Sequence, residues 1–427
     1  MTKRSKALNR IPIPRSYCLT GLTRRVVLRA LKRLEGGSIE LRNPNGTRER
    51  FGDQNGPEFT VTIANNNLFT RLAQHGRSGL GESYVAREWD TENLTGLMSL
   101  LLRNARKAAR REPIATLARI QRKRPRLIKP RSLSRARNNI HYHYDLGNDL
   151  FELFLDPSMT YSCAYFEHSD QTLEQAQQAK YHQLCKKLAI ESSDRILEIG
   201  CGWGGFALHA AIEHGAHVTG LTLSEEQHSL ASQRVQQAGV ADQVEIVLSD
   251  YRQQKGQFSK IVSIEMFEAI GYRQFKTFFS RCESLLEPNG LVGLQTIAVP
   301  DQRFHDYRRR PDWIQRYIFP GSLLPSITEI AHAMTKASEL MITDVEEIGY
   351  NYARTLEIWR TTFISNLAKV KKLGYDDTFI RTWLYYLSSC EALFETRSLR
   401  DVQLILSRSH NDSMPQYTRG KNSSQTA

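Results

Sequence analysis

The sequence predicts an α/β protein: a mostly parallel seven-stranded sheet with helices on both faces, preceded by a small α+β unit. Three observations carry this reading. Short apolar runs alternate with helical periodicity from Arg195 to Ile297, as in βαβ units whose strands are buried on both faces. A glycine-rich turn, Gly200-Cys201-Gly202-Trp203-Gly204-Gly205, follows the first of those runs directly. The 427 residues exceed one typical domain, and 40% hydrophobic content is enough for a packed core.

The N-terminal unit is expected over residues 1–102. Arg24 to Leu34 reads as a basic amphipathic helix, Ser38 to Leu41 and Phe59 to Ile63 as strands, and Leu94 to Leu102 shows apolar helical periodicity. This unit is expected to bind lipid or to form a homodimer. Residues 103–138 form a basic linker: Arg103 to Arg137 holds fourteen Lys/Arg against the single acid Glu112, which accounts for the whole net charge of +13. Such a strip is either a solvated linker or an adhesive surface for anionic lipid headgroups; charge alone also admits nucleic acid.

The remaining elements follow in order. Arg195–Ile199, His217–Leu221, Val244–Leu248 and Lys260–Ile264 read as strands, with helices over Trp203–Glu213 and Ser224–Ala238. A helix over Phe275–Leu286 stops at the turn Pro288-Asn289-Gly290, and a strand resumes over Gly290–Ile297. Met341–Ile348 and Asp401–Ser407 complete the sheet, while the helices Thr355–Lys372 and Thr378–Thr396 between them are expected to form a lid. Residues 139–410 would be the catalytic unit, and the polar stretch 411–427 a disordered tail.

No apolar run reaches the roughly 18 residues of a spanning helix, and no signal-peptide segment follows the basic N-terminus. The expectation is a cytoplasmic protein peripherally associated with the inner face of a membrane. None of the six cysteines (Cys18, Cys163, Cys185, Cys201, Cys282, Cys390) lies in a CxxC pair, so no metal site is expected.

The glycine turn also suits a dinucleotide enzyme, but such an enzyme would carry an acid at the end of the second strand for the ribose. That strand ends in Leu221-Thr222-Leu223-Ser224. Glu198 instead precedes the first glycine by two, a partner for the cationic amino group of S-adenosylmethionine. Asp250, after the third strand, is placed either to accept from an adenine amino group, with Tyr251 stacking beside it, or to cap a turn.

Several spaced motifs extend this reading. HYDLGNDLFELFLDP (His143 to Pro157), YSCAYF (Tyr161 to Phe166), GCGWGG, GLTLSEEQ (Gly220 to Gln227), MFEAIG (Met266 to Gly271), YIFPG (Tyr317 to Gly321) and YYLSSCEALF (Tyr385 to Phe394) occur in this order. The stretch Asn139 to Arg408 therefore resembles the cyclopropane-fatty-acyl-phospholipid synthase and mycolic acid methyltransferase family, and GLGESY (Gly79 to Tyr84) resembles the N-terminal domain of its longer bacterial members.

The resemblance implies a class I, Rossmann-like S-adenosylmethionine-dependent methyltransferase with a helical lid. The implied reaction transfers a methylene across the cis double bond of a phospholipid acyl chain, on an anionic bilayer. Cofactor contacts are implied for Tyr161, Ser162, Gly200 to Gly205, Thr222 to Gln227 (Leu223 and Ser224 included) and the segment Asp250, Tyr251 and Arg252. Thr222 and Gln227 then replace the ribose-binding acid. Cys390 falls at a position named as an active-site cysteine, although a buried helical cysteine is more often inert packing.

The resemblance further implies a bicarbonate ion as the base, held at positions that read Cys163, Glu268, Gln295, Ile297 and Tyr352 here. Gln295 replaces a histidine, and Ala269 stands where another is common. A glutamine can donate through its amide but cannot carry a proton. Singly, Cys163, Glu268 and Tyr352 would each pass for packing or helix-end residues. A methyl or methylene branch is the alternative product, and a small-molecule N-methyltransferase or a non-catalytic lipid carrier the alternative function. The place where amino-methylating nucleic-acid enzymes carry an Asn/Asp-Pro-Pro-aromatic loop holds Glu265-Met266-Phe267-Glu268, so no nucleic-acid substrate is expected.

Overall fold

A computed structural model describes residues 20–111 and 146–411. Most of the basic strip, the residues before Thr20, His143 to Asp145 and all of the tail beyond Asn411 lie outside the described residues.

The small unit starts with helix α1 (Thr20–Leu31) and a sheet of β1 (Ser38–Arg42), β2 (Arg48–Gly52), β3 (Glu58–Ile63) and β4 (Trp89–Asp90), ordered β2-β1-β3-β4. Helices α2 (Asn67–His75) and α3 (Arg77–Val85) join β3 to β4, and α4 (Leu94–Arg111) follows, crossing the expected linker boundary at residue 102 without a break. The strand β2 escapes sequence reading because it is an edge strand, RERFG, with Phe51 its one buried side chain.

The larger unit opens with the short helix α5 (Asn148–Phe151) and α6 (Leu173–Lys187), whose start is fixed by a Thr172–Gln175 capping box. Then come β5 (Arg195–Ile199), α7 (Gly205–His214), β6 (His217–Thr222), α8 (Glu225–Gln237), β7 (Val244–Leu248) and β8 (Phe258–Ile264). Helix α9 (Phe275–Leu285) and β9 (Leu286–Ala298) follow, then α10 (Asp301–Arg309), α11 (Trp313–Tyr317) and α12 (Ile327–Thr335). The chain closes with β10 (Met341–Glu347), α13 (Gly349–Ser365), α14 (Leu367–Lys372), α15 (Asp377–Glu395) and β11 (Arg400–Ser407). The turn expected at Pro288–Gly290 is absorbed into β9 as an irregularity: Phe258 pairs with Leu286, but Lys260 pairs with Leu291.

The sheet order is β10-β11-β9-β8-β5-β6-β7; β5 to β9 pair in parallel, and β11 inserts antiparallel between β9 and β10. Successive side chains face opposite layers. Ile196 joins a core with α6 and α7, whereas Leu197 joins one with α9 and α12. This is the class I methyltransferase fold, and its strand order reverses beside β5, where such sheets open a crevice at their carboxyl ends.

The small unit is seated on α15. One continuous core includes Phe69, Tyr84 and Trp89 together with Phe151, Trp359 and Trp383. A Cβ on Gly81 would stand 2.6 Å from the Tyr385 ring and 2.7 Å from that of Trp313, so only glycine admits this approach. Arg381 lies 3.9 Å from the Tyr84 ring centroid and donates to the Tyr84 carbonyl, while Thr95 and Ser99 donate to Glu391 and Glu395.

Candidate active site

A cleft of about 1160 Å³, open solvent included, lies at the carboxyl ends of β5, β6, β7 and β8. Its floor is the glycine turn. Gly200 has φ +87°, and a Cβ there would stand 2.6 Å from Met266 Cγ; a Cβ on Gly205 would stand 2.5 Å from the Tyr181 hydroxyl. Both positions require glycine, for backbone conformation in the first case and close approach in the second. Gly204, also left-handed, caps α7, and Ser224 caps α8 by accepting from the Gln227 amide; neither lines the cleft.

Glu225 and Glu226, within the segment named from the sequence, do not line it either, whereas Tyr161, Ser162, Glu198, Gly200, Cys201, Gly202, Trp203, Gly205, Thr222, Leu223, Gln227, Asp250, Tyr251 and Arg252 do. Glu198 is buried, and its Oε2 has no hydrogen-bond partner among the described residues. Burial pushes its carboxyl up to about 8, only partly opposed by the Lys180 charge. An orphaned acid of this kind fits an incoming ammonium group. Thr222 donates to Gln227 Oε1 (2.8 Å), which leaves the Gln227 amide hydrogens free to meet a ligand's hydroxyls. Asp250 is engaged locally: Arg252 chelates its carboxylate at 2.6 and 2.8 Å, and this pairing outweighs burial to hold Asp250 below the usual range. Tyr251 is buried beside it, its hydroxyl without a partner among the described residues.

Cys163, Glu268, Gln295, Ile297 and Tyr352 stand deeper, around a carboxylate that sequence reasoning did not single out. Glu265 Oε1 accepts from the Cys163 amide at 2.8 Å and from Gln295 Nε2 at 3.0 Å. Its Oε2 accepts from the Tyr352 hydroxyl at 2.5 Å. Gln295 Nε2 also reaches Asp401 at 3.2 Å, and Gln403 donates to Gln295 Oε1 at 3.2 Å. Burial, together with the Glu265 charge, pushes Asp401 well above the ordinary carboxylate range. Glu268 accepts from the Ile297 amide; burial and Glu265 raise its carboxyl to about 8. Lys180, fully buried, donates to Ser162 Oγ (2.6 Å) and Gln177 Oε1 (2.7 Å), and desolvation lowers it to about 8.

The thiol of Cys163 donates to the Ala164 carbonyl (3.2 Å) and lies 3.7 Å from that of Ile348, and burial, with Asp401 and Glu265 near, disfavours its thiolate. It is the backbone of Cys163 that faces Glu265. Cys390, on α15, packs against the shared core and lines no part of the cleft; burial raises its thiol too. Glu265, Met266 and Ala269 line the cleft and so connect it to the deeper centre. Around that centre stand aromatic rings. Tyr352 stacks on Phe394 (4.4 Å), Tyr161 lies 5.1 Å from Trp359, and the Tyr161 and Tyr386 hydroxyls are 2.8 Å apart.

Sequence spacing shows no metal cluster, yet the fold gathers His182, His209 and His214 with ligand atoms within 4.8 Å of one another. None of the three lines the cleft. Lys180, Asp401 and Gln403 were also missed; the first reaches the centre from α6 and the other two from β11, and none carries a local motif.

Fold and cleft together define an S-adenosylmethionine-dependent methyltransferase. The sequence model of the family described as mycolic acid cyclopropane synthetase matches residues 131–404, and the chain belongs to that family. The tuberculostearic acid methyltransferase UfaA1 of Mycobacterium tuberculosis is 39% identical over 353 residues, 80% of this chain and 81% of that protein. The cyclopropane-fatty-acyl-phospholipid synthase of Escherichia coli is 36% identical over 348 residues, covering 82% and 87%. Among solved structures, the mycolic acid cyclopropane synthase CmaA1 with SAH and CTAB aligns with TM-score 0.60 and 31% identity, over 66% of this chain and 99% of that one.

Proposed function

We propose that the protein transfers a one-carbon unit from S-adenosylmethionine to the cis double bond of a phospholipid acyl chain and closes a cyclopropane ring. The carrying observation is a buried carboxylate centre walled by aromatic rings that opens directly into the cofactor cleft through Glu265 and Met266. The names and extents of the two curated relatives support an acyl substrate.

Glu198 would hold the ammonium end of the cofactor, Gln227 and Thr222 its ribose, and Tyr251 with the Asp250–Arg252 pair its adenine. Bound there, S-adenosylmethionine supplies an electrophilic sulfonium methyl group. An unactivated alkene is a weak nucleophile, so the chain's own task is to align the double bond, exclude water and tolerate positive charge on an acyl carbon. The rings of Tyr161, Tyr352, Trp359 and Phe394 provide polarizable faces for that cation. The small unit and the basic strip would present this entrance to an anionic bilayer.

A second reading, a methylene or methyl branch, is favoured by Gln295 in place of histidine and by the likeness to the tuberculostearic acid enzyme. The test uses labelled methyl donor with vesicles of cis-monounsaturated phospholipid, followed by mass and NMR analysis of the released chains. One added CH₂ with no alkene supports ring closure, and one added CH₂ with a new terminal methylene supports the branch. Absence of label from the lipid overturns the acyl reading.

A further inference from the structure

We propose that Glu265 is the general base of the reaction, a built-in carboxylate occupying the position from which the resemblance led us to expect a bound bicarbonate. This rests on the acyl-chain reading above.

Bicarbonate and a glutamate side chain present the same thing to their surroundings: a planar pair of oxygens sharing one negative charge. The groups expected to grip bicarbonate are already turned onto Glu265. The Cys163 amide and the Gln295 amide meet one oxygen, the Tyr352 hydroxyl the other. The Ile297 amide is taken by Glu268. A free anion would find these donors engaged and would lie against the Glu265 carboxylate, a like-charge pairing. The residues present therefore do not fit bicarbonate.

Two further observations point the same way. Glu265 holds a left-handed backbone, φ 51°, which a side chain of this kind adopts only when its surroundings dictate it. Its amide is fixed by the Gln295 carbonyl at 2.9 Å, so the strained residue and the substituted one are locked together. Gln295 also gains a reason. A histidine facing Glu265 would compete for the proton, whereas a glutamine amide donates to the carboxylate and holds no proton of its own. Lys180 supplies a buried positive charge nearby, and Asp401 and Glu268 are biased towards their neutral forms, so the centre carries little surplus charge.

The alkene π pair forms the bond to the incoming methyl carbon as the sulfonium carbon–sulfur bond breaks, its pair leaving with a neutral thioether. The neighbouring acyl carbon becomes cationic. Glu265 takes one proton from the added methyl group, and the released C–H pair bonds to the cationic carbon, closing the ring. Glu265 is left as a neutral acid, and the proton passes to water when product leaves and solvent returns.

The experiment compares the wild type with E265Q and E265A in buffer freed of carbon dioxide, with and without added bicarbonate. Wild-type turnover is expected to be indifferent to bicarbonate. E265Q should lose about 100-fold in product formation, the range of a missing general base, while S-adenosylmethionine affinity measured by calorimetry stays within a few-fold. In E265A, added bicarbonate should restore part of the activity. Carbon-13 NMR of labelled bicarbonate should show binding to E265A and none to the wild type. A bicarbonate-dependent wild type, bicarbonate binding to the wild type, or full activity in E265Q would each overturn the assignment. Wild-type protein that labels no lipid at all instead sinks the acyl-chain reading, and the NMR comparison still decides whether Glu265 fills the anion site.

Discussion

Glu198 shows how one residue can link cofactor capture to pH. Its free-state carboxyl is raised to about 8, so near neutrality the folded protein holds a proton that the unfolded chain has already lost. Stability of the cofactor-free protein must then fall as pH climbs from the ordinary carboxylate range towards 8, because the native state binds more protons across that window. Glu268, also raised to about 8, has the same sign. A bound ammonium group favours the carboxylate, so binding should release a proton and tighten as pH rises from roughly 6 to 8. Calorimetry in buffers of different ionisation enthalpy reads that proton, and E198Q should abolish the release and weaken binding. At Gly205 the constraint is steric: Gly205→Ala drives a methyl into the Tyr181 hydroxyl, and at least a tenfold loss of cofactor affinity is expected from titration calorimetry, a cost of about 1–3 kcal/mol for overpacking. The glycine turn, Glu198 and the Thr222–Gln227 pair were legible because a contiguous motif on a strand end fixes their positions. Glu265 was not. Its meaning depends on a left-handed backbone and on partners from β9 and α13 that no local pattern brings together.

At the scale of elements, α15 serves two masters. One side carries Tyr386 and Phe394 into the aromatic wall, and another receives the small unit through Tyr385, Arg381, Glu391 and Glu395. Gly81→Val should therefore push α3 off Tyr385 and Trp313, lowering stability by about 1–3 kcal/mol and shifting the thermal midpoint down. A melt that does not move would show the seat to be slack. Strands β5 to β9 of the larger sheet were read from the sequence because buried parallel strands are nearly continuous apolar runs, and antiparallel β11 because its run is apolar and buried too. The small unit was read less well. Its α2 and α3 span only nine positions each, too short for periodicity to speak, and α3 buries small and polar residues such as Ser78, Gly81 and Glu82 that carry no apolar pattern.

For the whole molecule the charge distribution bears on the proposed bilayer substrate. The excess of +13 resides in one stretch of sequence, and among the described residues no helix is long and apolar enough to cross a membrane. Association with vesicles rich in anionic lipid should weaken steeply as ionic strength rises, each Lys or Arg near the headgroups contributing roughly 1 kcal/mol. Replacing four arginines between Arg119 and Arg137 by glutamine should lower vesicle flotation without altering cofactor affinity. Binding indifferent to salt, or displaced by RNA, would redirect the reading of the strip.

The seating of the small unit on α15 also sets an order of events during synthesis. Residues of α3 and α4 leave the ribosome long before Trp313 and Asp377–Glu395 exist to receive them. At about 5–20 residues per second, the face around Gly81 and Tyr84 waits on the order of tens of seconds without its cover. Nascent chains stalled before Asp377 should therefore recruit chaperone and be cut readily in α3, whereas chains stalled well beyond Ser407 should resist. The N-terminal unit, first to be made, is among the last to be finished.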